Sequence, residues 1–222
     1  MQPATQIPPF LLVRLVVEDL ALQRGGRVLV EKLDLTLESG AALVITGANG
    51  AGKSTLLRGL AGFLPPSQGR ARLICADGAA SDVALLAHYV GHLEGSKPAL
   101  TARENLAFWQ SMLALPGFPA ALSPDAALAR LGVPQVADLP VAYLSAGQKR
   151  RVGLARLLLA PRPLWLLDEP LTALDAAGQS LLAGLMADHL AAGGLIVAAT
   201  HAPLGIPSLH LALGASEGEA MP

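Results

Sequence analysis

Cysteine is nearly absent from this chain: Cys75 is the only one in 222 residues. A single thiol excludes a disulfide framework and a thiolate-built zinc site, and it makes a reducing compartment the default expectation. An excess of charge of either sign is missing as well. Sixteen Lys and Arg stand against seventeen Asp and Glu, a formal net charge of −1, which argues against a nucleic-acid surface as the main partner. Long apolar runs are also lacking. Phe10–Val17 is interrupted by Arg14, follows Pro8 and Pro9, and has no basic segment before a cleavable site. Leu157–Ala160 and Leu164–Leu167 are separated by Pro161, Arg162 and Pro163. None of these runs is long enough to span a bilayer. The mean hydropathy of +0.48 comes from Ala and Leu spread through helical stretches. No internal repeat is visible.

What the chain does have is a 52% hydrophobic composition, enough for a sizeable core in one domain carrying an inserted lobe. Residues 1–9 read as a loose tail. Leu11–Leu22 and Val28–Leu37 read as strands, the second with Leu33, Leu35 and Leu37 alternating with Asp34 and Thr36, the period of a half-buried strand. Ser39-Gly40 turns into the apolar strand Ala41–Thr46, and a helix is expected from about Lys53 to Phe63. Arg70–Cys75 and Val83–Val90 read as strands around an Asp77-Gly78 turn. Thr101 and Glu104 form a capping box that opens a helix to about Ala114, stopped by Pro116-Gly117. Ser123-Pro124 opens a second, with Gly132 just past its end, and a third is expected from Ser145 to before Pro161. Leu164–Leu167, a helix over 176–192 and Leu195–Ala199 follow. Buried strands alternating with helices predict a parallel α/β sheet. The expectation is a single domain, with core segments of about 10–92 and 162–205 and a helical lobe over 93–161.

Three motifs carry chemistry. Gly47-Ala48-Asn49-Gly50-Ala51-Gly52-Lys53-Ser54-Thr55 matches G-x-x-x-x-G-K-[ST] between an apolar strand and a helix. Small residues let the chain wrap a phosphate so that several N–H groups face its oxygens, and the helix adds its positive end. Lys53 is then the ligand of the β- and γ-phosphates of ATP, and the Ser54 hydroxyl a ligand of Mg²⁺. Leu164–Leu167 leads to Asp168 and Glu169 at a strand tip, where an α/β sheet places its ligands. Asp168 is expected on Mg²⁺ through its water shell, and Glu169 on the attacking water, to orient or deprotonate it. The third motif is Leu144-Ser145-Ala146-Gly147-Gln148. Ser145 and Gln148 form a capping box at a helix start, and a helix N-terminus with Gly in its first turn is also a bare anion site.

This last motif, lying between the other two, resembles the signature of ABC transporter ATPases. The resemblance covers about residues 10–205. It implies a P-loop NTPase core with N-terminal antiparallel strands, an inserted helical lobe, ATP hydrolysis, and two copies paired head to tail. Ser145, Gly147 and Gln148 would then act in trans on ATP held by the other copy's phosphate loop, with Lys149, Arg150 and Arg151 adding positive potential. Ala173-Leu174-Asp175 resembles the loop that crosses the dimer interface, and His201 stands where the family has its switch histidine. A phosphate-transferring kinase would leave Leu144–Gln148 unexplained. ABC proteins acting on ribosomes or DNA repair usually carry two cassettes or coiled-coil insertions, and this chain has neither.

Departures from the common pattern narrow the resemblance. His92 stands where the family has a glutamine at the lobe junction, and Arg24 where it stacks an aromatic residue on adenine. Gly91-His92, Lys97–Thr101, Glu104–Trp109, Leu144–Arg151 and Thr200–Leu204 resemble the ATP-binding subunits of cytochrome c maturation systems, the haem exporter group. That implies work on the cytoplasmic face of the bacterial inner membrane with integral membrane subunits. The family resemblance further implies a cleft between core and lobe that receives a membrane subunit's helix, edged here by Leu93–Leu100, with Phe108 or Trp109 as apolar contacts. Direct haem binding is not expected, since no Cys-x-x-Cys-His occurs. His88 and His92 share a strand face but read as core or junction histidines.

Overall fold

The computed structural model describes residues 13–91, 95–114 and 122–214. Two sheets form. The first is antiparallel and contains β1 (Arg14–Arg24), β2 (Arg27–Leu37), β4 (Gln68–Ile74) and β5 (Ala80–Asp82) in the order β2-β1-β4-β5. The second comprises β3 (Ala42–Thr46), β6 (Ala87–Val90), β7 (Leu164–Asp168), β8 (Leu195–Ala199) and β9 (Leu209–Ala212). Its order is β6-β7-β8-β3-β9 with every pairing parallel. This is the expected α/β class.

The central strands are buried on both faces, and their alternation divides the core. Leu43, Ile45, Leu164, Leu166 and Val197 face the antiparallel sheet and α1 (Lys53–Leu60), where Leu15, Leu22, Leu56 and Leu57 complete one cluster. Val44, Trp165, Leu167, Ile196 and Ala198 face the opposite way. They meet Leu182 and Met186 of α6 (Ala176–Ala191) and a run of helices lying between β6 and β7 in the chain. Those are α3 (Ala102–Leu113), α4 (Pro124–Arg130) and α5 (Ala146–Ala155). A period of two thus sends successive residues of one strand to different clusters. Each large side chain moved out of water contributes about 1.5–3 kcal/mol.

The capping boxes form as read. Glu104 accepts the Thr101 N–H at 2.8 Å and returns its own N–H to the Thr101 hydroxyl at 3.1 Å. Several boundaries differ from expectation. The strand expected over 83–90 begins instead as a helical turn, α2 (Val83–Leu86), because the Asp82 carboxylate caps it by accepting the Ala84 N–H at 2.9 Å. Helix α1 ends before Phe63, since Gly62 turns left-handed and the Phe63 N–H reaches back to the Arg58 carbonyl at 2.9 Å. The helix from Ser145 tightens into a 3₁₀ turn over Arg156–Leu158 ahead of Pro161. Strand β9 was not anticipated at all. The stop at Pro116-Gly117 lies outside the described residues. Among those residues no helix is long and apolar enough to cross a membrane.

Two histidines are part of the core. His88 donates from Nε2 to the Ala160 carbonyl at 2.6 Å, and His189 lies flat on Trp165 with ring centroids 4.0 Å apart. The Nε2 of His189 donates to the Leu195 carbonyl at 3.2 Å. Loss of hydration on burial pushes His88 down to about 3 and His189 down to about 4. In the unfolded chain both titrate near 6.5, so the unfolded state binds more protons below that pH. Their contribution to stability is therefore complete above pH 6.5 and is lost as pH falls toward the folded values. Between pH 7 and pH 5 each histidine is expected to remove about 2 kcal/mol of unfolding free energy. Urea denaturation across this range should show the decline, and His189→Gln, which keeps a donor without titrating, should flatten about half of it.

Candidate functional site

The site is assembled at the C-terminal edge of the parallel sheet. Strand β3 ends at Thr46, and β9 closes beside it with the Leu213 N–H on the Thr46 carbonyl at 2.9 Å. That pairing brings the Leu213 carbonyl oxygen within 2.5 Å of where a Cβ on Gly47 would stand. With φ 138° as well, only glycine fits the first position of the loop. Residues 47–52 then wrap into α1, whose first-turn N–H groups have no intrahelical acceptors.

Lys53 folds back over its own loop. Its Nζ donates to the Gly47 carbonyl at 2.6 Å and the Ala48 carbonyl at 3.1 Å, and lies 3.1 Å from His201 Nε2. An ammonium only donates, so Nε2 accepts in this pairing. The Ser54 hydroxyl donates to Asp168 Oδ1 at 3.0 Å. Tyr89 reaches the other oxygen of Asp168 at 3.5 Å and accepts from Arg58 Nε at 3.4 Å. Glu169, next in the chain, stands at φ 46° with its N–H on the Ala199 carbonyl at 2.8 Å. A cleft of about 350 Å³ gathers Arg24, Asn49, Gly50, Gly52, Lys53, Ser54, Thr55, Asp168 and Glu169. A hydroxyl and a carboxylate meeting here are the hard oxygen donors that Mg²⁺ takes.

Ser145, Gly147, Gln148 and Asp175 do not line this cleft. The Ser145 hydroxyl accepts the Gln148 N–H at 3.2 Å, and the Gln148 side chain accepts the Ser145 N–H at 2.9 Å. A Cβ on Gly147 would stand 3.0 Å from the Ala173 carbonyl, so α5 begins tight against the loop before α6. Asp175 caps α6 by accepting the Gly178 N–H at 2.9 Å and pairs with Arg151. Those two donors hold its carboxyl below the usual carboxylate range. The expected patch of positive potential is altered by its neighbours. Arg151 is engaged by Asp175 and the Leu131 carbonyl, and Arg150 is buried. His92 lies outside the described residues, as do Leu93 and Glu94.

The ABC transporter family model matches residues 30–172. A cytochrome c biogenesis ATP-binding export protein, CcmA, of Rhodopseudomonas palustris (strain HaA2) is 50% identical over 206 residues, covering 92% of this chain and all of that one. Its counterpart in Nitrobacter hamburgensis is 52% identical over 195 residues, 86% of this chain and 93% of that protein. The chain belongs to the ABC transporter family, among its cytochrome c biogenesis ATP-binding export proteins. Two solved structures share the fold. One from Pyrococcus furiosus has a TM-score of 0.74 at 22% identity, over 90% of this chain and 97% of that one. The other, cbiO1 from Clostridium perfringens, part of the ABC transporter complex cbiONQ, has a TM-score of 0.65 at 27% identity, over 85% and 78%.

As an ABC ATP-binding subunit the chain binds ATP and partners a membrane transporter. Sequence reasoning missed two features that adjoin this cleft. Arg150 counted as surface charge, although it lies one turn before the buried Leu154 on the same helix face, which marked it as inward. Strand β9, which shapes Gly47, carried only the short alternation of Leu209, Leu211 and Leu213 with His210 and Ala212. For the nucleotide cleft, Lys53→Ala removes the fixed cation and a charge-assisted bond of about 1.5–3 kcal/mol. Nucleotide affinity should fall by about 10- to 150-fold in a titration with a fluorescent ATP analogue, and hydrolysis should drop to background.

Proposed function

We propose that this chain is the ATP-hydrolysing subunit of a cytochrome c biogenesis export complex of the haem-exporting type. It works on the cytoplasmic face of the bacterial inner membrane, beside integral membrane subunits and a second copy of itself. The observation that carries the motor reading is the division of the site. The phosphate loop, Asp168 and Glu169 share one cleft, and Ser145, Gly147 and Gln148 at the start of α5 do not line it. A site with one half missing is completed by a partner, here the other copy's Ser145, Gly147 and Gln148.

On binding ATP, Lys53 exchanges its loop carbonyls for the β- and γ-phosphate oxygens, and the N–H groups of residues 47–55 cradle the chain of phosphates. Ser54 and Asp168 would hold Mg²⁺, which when bound neutralises charge on the β- and γ-oxygens. Glu169 takes the proton of the attacking water, while the bond from the γ-phosphorus to the ADP oxygen breaks. His201, already beside Lys53, reaches the γ-phosphate and Glu169. His92 would sense the γ-phosphate from the lobe junction, and Asp175 would cross to the other copy. Arg24, exposed at the end of β1, offers its guanidinium plane to adenine.

A second cleft of about 260 Å³ supports docking of the membrane subunits. Phe63 and Ala84 line its core side, and Trp109 and Leu113 of α3 the other. Phe108 beside it is 42% exposed and carries Lys97 Nζ at 4.8 Å from its ring centre. Phe63, absent from the sequence-based outline of this surface, is 68% exposed. Haem is not expected on the chain itself, and His88 is buried with Nε2 on a carbonyl.

Two variants test the motor reading. Glu169→Gln keeps the shape and removes the base, so ATP should still bind and the molar mass by light scattering should double; a monomer with ATP bound argues against the sandwich. Ser145→Arg should leave nucleotide affinity of its own loop within about threefold while hydrolysis falls by about 10²-fold or more, the scale of losing transition-state donors. Cells carrying either variant should lack mature c-type cytochromes, and normal cytochromes in both would point to another cargo.

A further inference from the structure

We infer that Arg150 is a positioning residue for hydrolysis, holding the main chain of Glu169 from the helix that begins with the signature motif. The inference rests on the reading of Glu169 as the base.

Arg150 is only 3% exposed. Its Nη2 donates to the Glu169 carbonyl at 2.7 Å and to the Asp168 carbonyl at 3.2 Å. Nε donates to the Pro170 carbonyl at 3.2 Å, and Nη1 to the Gly91 carbonyl at 2.9 Å. These four oxygens belong to two segments, the strand tip that carries the carboxylates and the end of β6. Burying a guanidinium is costly, and an apolar side chain on this helix face would serve the core at least as well. What the guanidinium adds is a planar fork of donors that can hold several carbonyls in fixed directions.

The held conformation is unusual. Glu169 is left-handed at φ 46°, a region that non-glycine residues enter at a cost and keep only when their surroundings over-determine it. Here the surroundings do so from both sides. Its N–H is fixed by the Ala199 carbonyl of β8, and its own carbonyl by Arg150 and the Thr172 N–H at 3.3 Å. The peptide units flanking Glu169 therefore cannot rotate, and the direction in which its side chain leaves the backbone is set.

The same residue ties that direction to two other parts of the structure. Arg150 lies five positions after Ser145, within the first turns of α5, and Gly91 directly follows β6. A shift of α5 when the second copy closes on its nucleotide would pull on Glu169 through one guanidinium. A displacement of about 1 Å at a reacting group costs on the order of 10²-fold in rate.

The test compares Arg150→Met and Arg150→Lys in the complex with its membrane subunits, alone and combined with Glu169→Gln. The expected result for Arg150→Met is kcat lowered by about 10²-fold with KM for ATP within about threefold, and Arg150→Lys should recover about tenfold of that. Added to Glu169→Gln, Arg150→Met should change the residual rate by less than about twofold, because the group it positions is gone. Wild-type kcat in Arg150→Met while Glu169→Gln is inactive overturns this proposal alone. So does a loss explained by KM, or one fully additive with Glu169→Gln. Unfolding of both single variants overturns it too, by making Arg150 a requirement of the fold. Full turnover by Glu169→Gln overturns the base assignment itself, and this role with it.

Discussion

Strand β8 must lie between β3 and β7, and the site follows from that placement. Val197 stands in register with Leu43 on one side and Leu166 on the other. All five residues of β8 are buried, so its backbone groups have no water to fall back on and must pair with both neighbours. Parallel pairing then brings three chain exits to one edge: the phosphate loop after Thr46, Glu169 after Asp168, and His201 after Ala199 and Thr200. The contacts of Ser54 with Asp168 and of Lys53 with His201 are consequences of this register. They cross 114 and 148 residues of sequence.

A second layer of order comes from buried arginines. Arg150, Arg156 and Arg162 are all nearly inaccessible, and each reaches main-chain oxygens. Arg156 donates to the Tyr89 carbonyl at 2.6 Å and Arg162 to the Leu113 carbonyl at 2.5 Å. Burial lowers the pKa of Arg162 below its ordinary value, the direction desolvation imposes on a cation. The bonds run from the α5 region to β6, to the end of α3 and to the tip of β7. Carbonyls at strand and helix ends lack regular partners, and a guanidinium serves several of them at once. The helical segment is thus joined to the sheet by polar bonds at both ends of β7, those of Arg150 at the edge where ATP is proposed to sit and that of Arg162 just before Leu164, and by apolar packing between them.

Local chemistry was legible wherever it is self-contained. The capping boxes at Thr101 and Ser145 need four consecutive residues, and both form as read. The phosphate loop likewise needs only its own glycines and Lys53. Reading failed where a short run suits either element and where the partner is distant. Val83–Leu86 is a short apolar run whose period suits strand or helix, and the Asp82 cap decided for helix. Leu209–Ala212 is mostly exposed, and its alternation of Leu209, Leu211 and Leu213 with His210 and Ala212 is too short to mark a strand without β3 beside it. Arg150 sits among Lys149 and Arg151 and looks like one more surface cation.

By itself the sequence determined the order of motifs, the buried strands and the helix starts, because propensity, capping and periodicity act over a few residues. From these came the α/β class, the ATP loop and the likeness to ABC subunits. Only the tertiary structure decided that Gly47 is required by the Leu213 carbonyl, that Ser145 and Gly147 stay out of their own chain's cleft, and that Arg150 holds Glu169. The contacts among these join residues 166 apart, Gly47 to Leu213, and 19 apart, Arg150 to Glu169. Their partners are main-chain atoms, and every residue has the same main chain, so only the fold chooses which ones meet.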